Sequence, residues 1–264
     1  MNIIIYSNCQ GGSLKNYLGK KIEGNYYHIQ NYQLIDNNAP IPSEILNIAD
    51  VFIFQFTNEI HGIYSTNPNS DKNIFNYLKK DCIKIGIPSI FNSSFWPVIP
   101  YGGSNKDGHD IILNLKKNHS LNKIFNLYDN NLIDFKLKER FNICQKHTKD
   151  IENYYLTNTT LDIIKITDFI EEYYKKYKLF IIHNHPSSYI FLYISNKIID
   201  IINEYKNIKI EHYDDIFNYP LTQWVEGGDW VDSLYIKKEL EVFYINDTNE
   251  MKIKSYIRDI YNNY

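Results

Sequence analysis

Cys9 stands where a short apolar run, Asn2 to Tyr6, breaks into the small polar stretch Ser7-Asn8-Cys9-Gln10-Gly11-Gly12. Parallel-sheet enzymes place nucleophiles at such strand ends, and a thiolate attacks esters and thioesters readily. Ser13 to Tyr17, with Leu14 and Tyr17 three apart, read as the first turns of a helix. The free N–H groups and positive dipole end of that helix face the thiol and favour its ionisation. A lone cysteine in a reduced protein otherwise serves as a small buried hydrophobe. What separates the two readings is the company Cys9 keeps at other strand ends.

His185 is the second chemical group, in His183-Asn184-His185-Pro186-Ser187-Ser188, after the apolar run Leu179 to Ile182 and before a helix. A histidine fixed by a following proline at a strand end is placed as a base; the plainer alternative is a helix cap with an incidental histidine. Paired with Cys9 it reads as a Cys/His dyad, in which imidazole takes the thiol proton and later the acceptor's proton. Gln55 and Asn58, at the end of the run Val51 to Phe56, carry amides that can donate to an oxyanion or cap the next element. The loop Phe91 to Ser104, with Pro97, Pro100 and Gly102-Gly103, can hold a cofactor or only turn a corner.

The elements that must position these groups follow from apolar patterning. Ile3 to Tyr6, Val51 to Phe56, Ile83 to Ile87 and Leu179 to Ile182 are short runs apolar on both faces, as strands of a buried parallel sheet are. Ile74 to Lys80 reads as an intervening helix, so the first part of the chain alternates strand and helix in a right-handed βαβ pattern. Ile111 to Tyr177 reads as several helices that cover the sheet, among them the amphipathic stretch Leu161 to Tyr177. Tyr189 to Tyr205 reads as a further helix, Ile208 to His212 as an edge strand, Glu241 to Ile245 as a strand-like piece, and the chain from Glu250 as a final helix. The expected fold is α/β, a mainly parallel sheet flanked by helices in a three-layer, Rossmann-like body. Residues 1–213 form the catalytic domain with its helical middle region, and residues 214–264 form an appendage packed on it.

Composition narrows the function. The chain has 264 residues, 44% of them hydrophobic, which suffices for a full core. Net charge is −3 and the lysines are scattered, so no nucleic-acid footprint is present. The three cysteines, Cys9, Cys82 and Cys144, form no C-x-x-C pair, so neither a disulfide framework nor a metal site is expected. No signal peptide or membrane span is legible, which points to the cytoplasm.

Asn8-Cys9-Gln10, the stretch Pro88-Ser89-Ile90-Phe91 to Pro97, and Leu179-Phe180 followed by Asn184-His185-Pro186-Ser187 resemble the WcbI-like polysaccharide-biosynthesis acetyltransferases, in the same order, over roughly Met1 to Tyr213. The resemblance implies a cytoplasmic enzyme that binds coenzyme A and moves an acetyl group onto a sugar hydroxyl of a capsule or other surface polysaccharide. It makes Cys9 the nucleophile, His185 the base, and Asn8 and Gln10 flanking amides, with Asn184 beside the histidine. Ser7 departs from the glycine usual before Asn-Cys-Gln. The arrangement is also similar to the SGNH hydrolases with cysteine in place of serine. Those carry an aspartate three residues before the histidine, where this chain has Ile182, so Asp110, Asp162 or Asp168 could orient His185 only through the fold.

Because no large basic cluster exists, the coenzyme A phosphates are expected at backbone N–H groups near Gly11-Gly12-Ser13 or the turn Tyr101-Gly102-Gly103-Ser104, with Lys15 or Lys106 assisting. The resemblance further implies a sugar or polysaccharide as acyl acceptor, with peripheral association with glycan-assembly machinery expected. Two other functions use the same residues. A carbohydrate esterase or thioesterase would pass the acyl group to water. A non-catalytic glycan-assembly binding protein would leave Cys9 inert and contact sugar through Tyr101 and the loop Trp224 to Trp230.

Overall fold

The computed structural model describes residues 1–98, 107–182, 184–221, 233–245 and 248–263. They fall into two compact units, each assembled from three stretches of chain. The first is Met1–Ser89, His147–Phe169 and Ser188–Trp224; the second is Ile90–Lys146, Ile170–Ser187 and Val225–Tyr264.

The first unit holds the sheet. Strands β1 (Asn2–Ser7), β2 (Asn25–Gln30), β3 (Val51–Gln55), β4 (Ile83–Ile87) and β5 (Asp162–Ile163) are all parallel, in the order β2-β1-β3-β4-β5. Helix α1 (Gln10–Leu18) follows β1, and α2 (Asn31–Asp36) and α3 (Ser43–Asn47) lie between β2 and β3. The chain therefore moves from β1 to one side and returns to the other, which opens a crevice at the carboxyl ends of β1 and β3. Sites in open parallel sheets lie in such crevices, and both Cys9 and the segment Phe56–Asn58 leave the sheet there.

Alternation along β1 and β3 sends side chains to both faces, and both are covered. Ile4, Tyr6, Phe52 and Phe54 join Leu46, Ile74 and Tyr155 in one core. Its rings run from Tyr6 through Phe52 and Phe54 to Phe75 at centroid spacings of 5.0–5.9 Å. Gly86 on β4 makes room for this packing, since a Cβ there would lie 2.7 Å from Ile163 and 2.8 Å from Phe56. The remaining helices are α4 (Asp107–Lys116), α5 (Leu121–Asp129), α6 (Leu137–Asn158), α7 (Thr167–Tyr173), α8 (Ser188–Lys206), α9 (Leu234–Glu239) and α10 (Glu250–Asn263). Helix α8 packs against α1 and β4, completing the first unit's layers. None of the helices among the described residues is long and apolar enough to cross a membrane.

Several sequence expectations are corrected. Leu179 to Ile182 is not a strand of the parallel sheet. Its β6 (Phe180–Ile182) pairs antiparallel with β7 (His185–Pro186) in a two-stranded sheet of the second unit, and Ser187 N–H closes the hairpin on the Leu179 carbonyl at 2.8 Å. The first residues of the expected helix Leu161 to Tyr177 are instead β5, which pairs with Ile85 and Gly86, and the helix covers only α7. Ile74 to Lys80 contracts to a 3₁₀ turn, Ile74–Tyr77, capped by Asn73. Ile208 to His212 is not a strand: Asn203 bonds both backbone groups of Ile210, so a side-chain amide replaces a strand partner. Glu241 adopts a left-handed φ of 54°, which breaks the expected strand-like piece at its start. In the second unit α4 and α5 pack on α10, so part of the helical middle joins the C-terminal helix.

Candidate active site

The Ser7–Gly12 elbow is built by side-chain amides. Helix α1 starts at Gln10 with Cys9 as its N-cap residue in an α conformation, three residues earlier than the sequence pattern suggests. The Cys9 side chain makes no capping bond; the Asn8 carboxamide takes that role by accepting from the Gln10 N–H at 2.9 Å. Gln55, at the end of β3 and 2% exposed, spans the crevice floor. Its Oε1 accepts from the Asn8 N–H and its Nε2 donates to the Gln10 Oε1, both at 2.8 Å. Both ends of the Gln55 amide thus hold the elbow. Asn8 Nδ2 reaches outward, 3.4 Å from Ser89 Oγ. Replacing Gln55 by leucine leaves a buried donor and acceptor unsatisfied and is expected to cost roughly 1–3 kcal/mol per group. Chemical denaturation of the variant checks this.

A histidine that the sequence reading passed over completes the elbow. His28 on β2 pairs in register with Ile5, and its Nε2 lies 3.0 Å from the Asn8 carbonyl and 3.2 Å from Ser7 Oγ. A carbonyl can only accept, so Nε2 carries the proton and His28 donates. Ser7 Oγ donates to the same carbonyl at 3.0 Å. Burial holds the His28 imidazole below the usual histidine range, with nearby Lys15 acting the same way and the Asn8 carbonyl opposing. His28 is therefore a neutral donor that fixes the peptide ahead of Cys9.

This packing also changes the meaning of the glycine pair. The Gly11 N–H donates to the Asn8 carbonyl at 3.1 Å and the Gly12 N–H to the Cys9 carbonyl at 3.2 Å, while Gly11 and Ser13 are buried. The N–H groups of Gly11 and Gly12 are thus engaged within the elbow. Tyr101, Gly102, Gly103, Ser104 and Lys106, together with His183 and the loop Trp224 to Trp230, lie outside the described residues. Asn58 caps the 3₁₀ turn after β3, accepting from the Ile60 N–H at 3.1 Å.

In the second unit, His185 and Asn184 are half-buried on the β6–β7 hairpin. Burial lowers the His185 pKa from its ordinary value. Phe180 of the hairpin stacks on Phe95 at 5.1 Å, which joins the Asn-His-Pro stretch to the loop after β4. Arg140 of α6, 3% exposed, clamps that loop by donating to the carbonyls of Ser93, Trp96 (2.9 Å) and Pro97 (3.3 Å). Among the carboxylates considered as orienters, Asp168 is engaged by Lys165 at 2.9 Å and Lys149 at 3.7 Å, and Asp162 bonds Tyr205.

A model of the family described as polysaccharide biosynthesis enzyme WcbI matches residues 2–203. The chain belongs to the WcbI family. A solved WcbI structure, described as a novel polysaccharide biosynthesis enzyme in its native form without a disulfide bond between coenzyme A and a cysteine, shares the fold with a TM-score of 0.55. Identity is 16%, with 83% of this chain and 75% of that chain covered. No curated protein matches the sequence.

In this WcbI-family chain the thiol is not pre-ionised. Burial pushes the Cys9 thiol above its ordinary value, and the N–H groups of Cys9 and Gln10 only partly offset this. That corrects the expectation drawn from the helix end alone: a half-buried sulfur loses more hydration than the first-turn amides return. Cys82 is 5% exposed and pushed up further, to about 11. Iodoacetamide at neutral pH should therefore label Cys9 well before Cys82, with the Cys9 rate still rising above pH 8. Peptide mass spectrometry across a pH series reads both effects.

Proposed function

We propose that this polysaccharide-biosynthesis enzyme is a coenzyme A dependent O-acetyltransferase acting on a sugar hydroxyl of a capsule or other surface polysaccharide, with Cys9 as nucleophile. The observation that carries the reading is the placement of Cys9, braced by Asn8, Gln10 and Gln55, at the carboxyl-edge crevice between β1 and β3. Supporting it, the solved WcbI structure is described in terms of coenzyme A and a cysteine.

In the first half-reaction the Cys9 sulfur attacks the acetyl thioester carbonyl. The bond from carbonyl carbon to coenzyme A sulfur breaks, and the thiol proton passes by way of His185 to the departing coenzyme A thiolate. In the second half-reaction the sugar hydroxyl attacks the Cys9 thioester, gives its proton to His185, and Cys9 leaves as thiolate, which recovers the proton. The lowered pKa of His185 keeps its imidazole neutral at physiological pH and so able to accept. Asn8 Nδ2, on the outer side of the elbow, is the amide best available to a developing oxyanion. In this reading the enzyme works in the cytoplasm, alone or peripherally attached to glycan-assembly machinery, and requires no metal.

Incubation with isotopically labelled acetyl-CoA, followed by peptide mapping, tests the reading. An added acetyl group on the Cys9 peptide that is discharged by a sugar acceptor supports it. Discharge by water alone, at a rate no acceptor raises, would make the protein an esterase or thioesterase instead, and no acetyl capture with no saturable coenzyme A binding would favour a glycan-binding protein.

A further inference from the structure

The five-stranded sheet of the first unit has two edges, and the sequence treats them differently. At one edge β5 is two residues long, Asp162–Ile163, and begins with a charge. Short strands and edge charges stop a sheet from pairing with another chain. At the other edge β2 runs for six residues, Asn25-Tyr26-Tyr27-His28-Ile29-Gln30, without a lysine, arginine, carboxylate or proline. It pairs with β1 residue for residue, from Asn2 with Asn25 to Ser7 with Gln30, so no bulge twists this edge away.

Alternation along a parallel strand decides which backbone groups face outward. The Asn25 N–H donates to the Met1 carbonyl at 2.8 Å, which sets the backbone groups of Asn25, Tyr27 and Ile29 toward β1. The N–H and C=O groups of Tyr26 and His28, and the N–H of Gln30, therefore point away from the sheet. Among the described residues nothing bonds them. Asn25 is exposed and Tyr26, Tyr27, His28 and Gln30 are half-buried, so solvent reaches this edge.

We propose that β2 is a dimerisation edge, at which two copies of this chain pair antiparallel about a two-fold axis and join their sheets into one. The strand complements itself. With His28 opposite His28 of the partner subunit, Tyr26 lies opposite Gln30 of the partner subunit, and the outward groups bond across the axis. Charge favours the same direction. Lys20, Lys21 and Glu23 precede the strand and Asp36 closes the helix after it, so antiparallel pairing sets the basic end of each copy beside the acidic end of the other. A ribbon of this length is smaller than the roughly 800 Å² per partner of a standard interface, so a dissociation constant of roughly micromolar order is expected. The edge also reaches the site, because the His28 imidazole holds the Asn8 carbonyl and pairing restrains the strand that braces the peptide ahead of Cys9. The inference does not depend on the acetyltransferase reading.

The test is sedimentation velocity of the full chain over a series spanning about 1–100 μM, with backbone amide exchange followed residue by residue by NMR. A monomer–dimer equilibrium is expected, in which the Tyr26, His28 and Gln30 amides slow as concentration rises while those of Tyr27 and Ile29, already bonded to β1, do not respond. Gln30→Pro isolates the backbone contribution. The Gln30 φ of −77° already suits proline and the lost N–H bonds nothing within the described chain, so the variant should fold and should weaken dimerisation by roughly tenfold or more. Gln30→Ala loses the same side-chain bond to Tyr32 but keeps the N–H, and should dimerise within about threefold of the unaltered chain. A monomer throughout the series, which leaves the edge to an extended segment of some other protein, would overturn the proposal. So would a dimer whose Tyr26 and His28 amides ignore concentration, or equal dimerisation by Gln30→Pro and Gln30→Ala.

Discussion

On the proposed acetyltransferase reading, Cys9→Ser should remove acetyl transfer while coenzyme A still binds. The hydroxyl fills nearly the same space at the N-cap of α1, so the Asn8–Gln55–Gln10 brace that sets the elbow is untouched. What changes is nucleophilicity, since a serine hydroxyl stays protonated unless a base removes its proton during attack. The loss in turnover should at least match the roughly 10²–10⁴-fold that a positioned proton acceptor supplies. His185→Ala should fall in that same range, because the Cys9 thiol is held protonated by burial and needs a partner to take its proton.

The pH dependence follows with a definite sign. As the proposed base, His185 must be neutral to accept a proton, and burial lowers its pKa, so the acid limb of kcat/KM should lie below the ordinary histidine value of about 6.5. In His185→Ala that limb disappears and the rate instead climbs with the thiolate fraction of Cys9 into the alkaline range. Transfer in Cys9→Ser at the wild-type rate would remove Cys9 as nucleophile and leave His185 acting directly on the sugar hydroxyl.

How far the sequence could be read depends on what each residue's burial leaves visible. β1, β3 and β4 are buried on both faces, and their apolar runs announce them. β2 is an edge strand of half-exposed residues, Asn25–Gln30, so it carries no such run, and His28 went unnoticed with it. The alternation around Tyr27 and Ile29 was the available signal. β5 is two residues long and lies at the head of a helical pattern, which masks it. Leu179 to Ile182 misleads for a different reason. A short apolar run is equally compatible with a central strand and with a hairpin pressed on aromatic neighbours such as Phe95, and only tertiary contacts decide.

At the site, the reactive types were legible and their supports were not. Cys9 and His185 stand out because few side chains do their chemistry. Gln55 looks the same in sequence whether it donates to an oxyanion or braces a turn. Its two bonds across the β1–β3 crevice, and the Asn58 cap on Ile60, are facts of register and backbone direction that one sequence does not encode locally.

Gly11→Ala should damage the enzyme and Gly12→Ala should not, although the two glycines adjoin on one helix turn. Neither needs a positive φ, so the backbone accepts alanine at both and only space distinguishes them. A Cβ on Gly11 would lie 2.0 Å from Ser7 Oγ and 2.5 Å from His28 Nε2, whereas on Gly12 the nearest atom is His28 Nδ1 at 4.0 Å. Alanine at 11 must therefore displace both side chains that bond the Asn8 carbonyl and shift the peptide leading into Cys9. Overpacking of this kind costs roughly 1–3 kcal/mol, and the displaced thiol should also lower turnover. Alanine at 12 should be neutral or gain about 0.5–1 kcal/mol from the lower chain entropy of alanine in a helix. Adding Ser7→Gly to Gly11→Ala removes the closest contact and should restore part of both stability and turnover, with His28 still limiting recovery. A phosphate cradle at this turn predicts the opposite grouping, in which both alanines weaken coenzyme A binding together. Thermal denaturation, coenzyme A titration and initial rates on the four proteins separate the two accounts, and equal damage from Gly11→Ala and Gly12→Ala would show that the glycines serve the ligand and not the packing of Ser7 and His28.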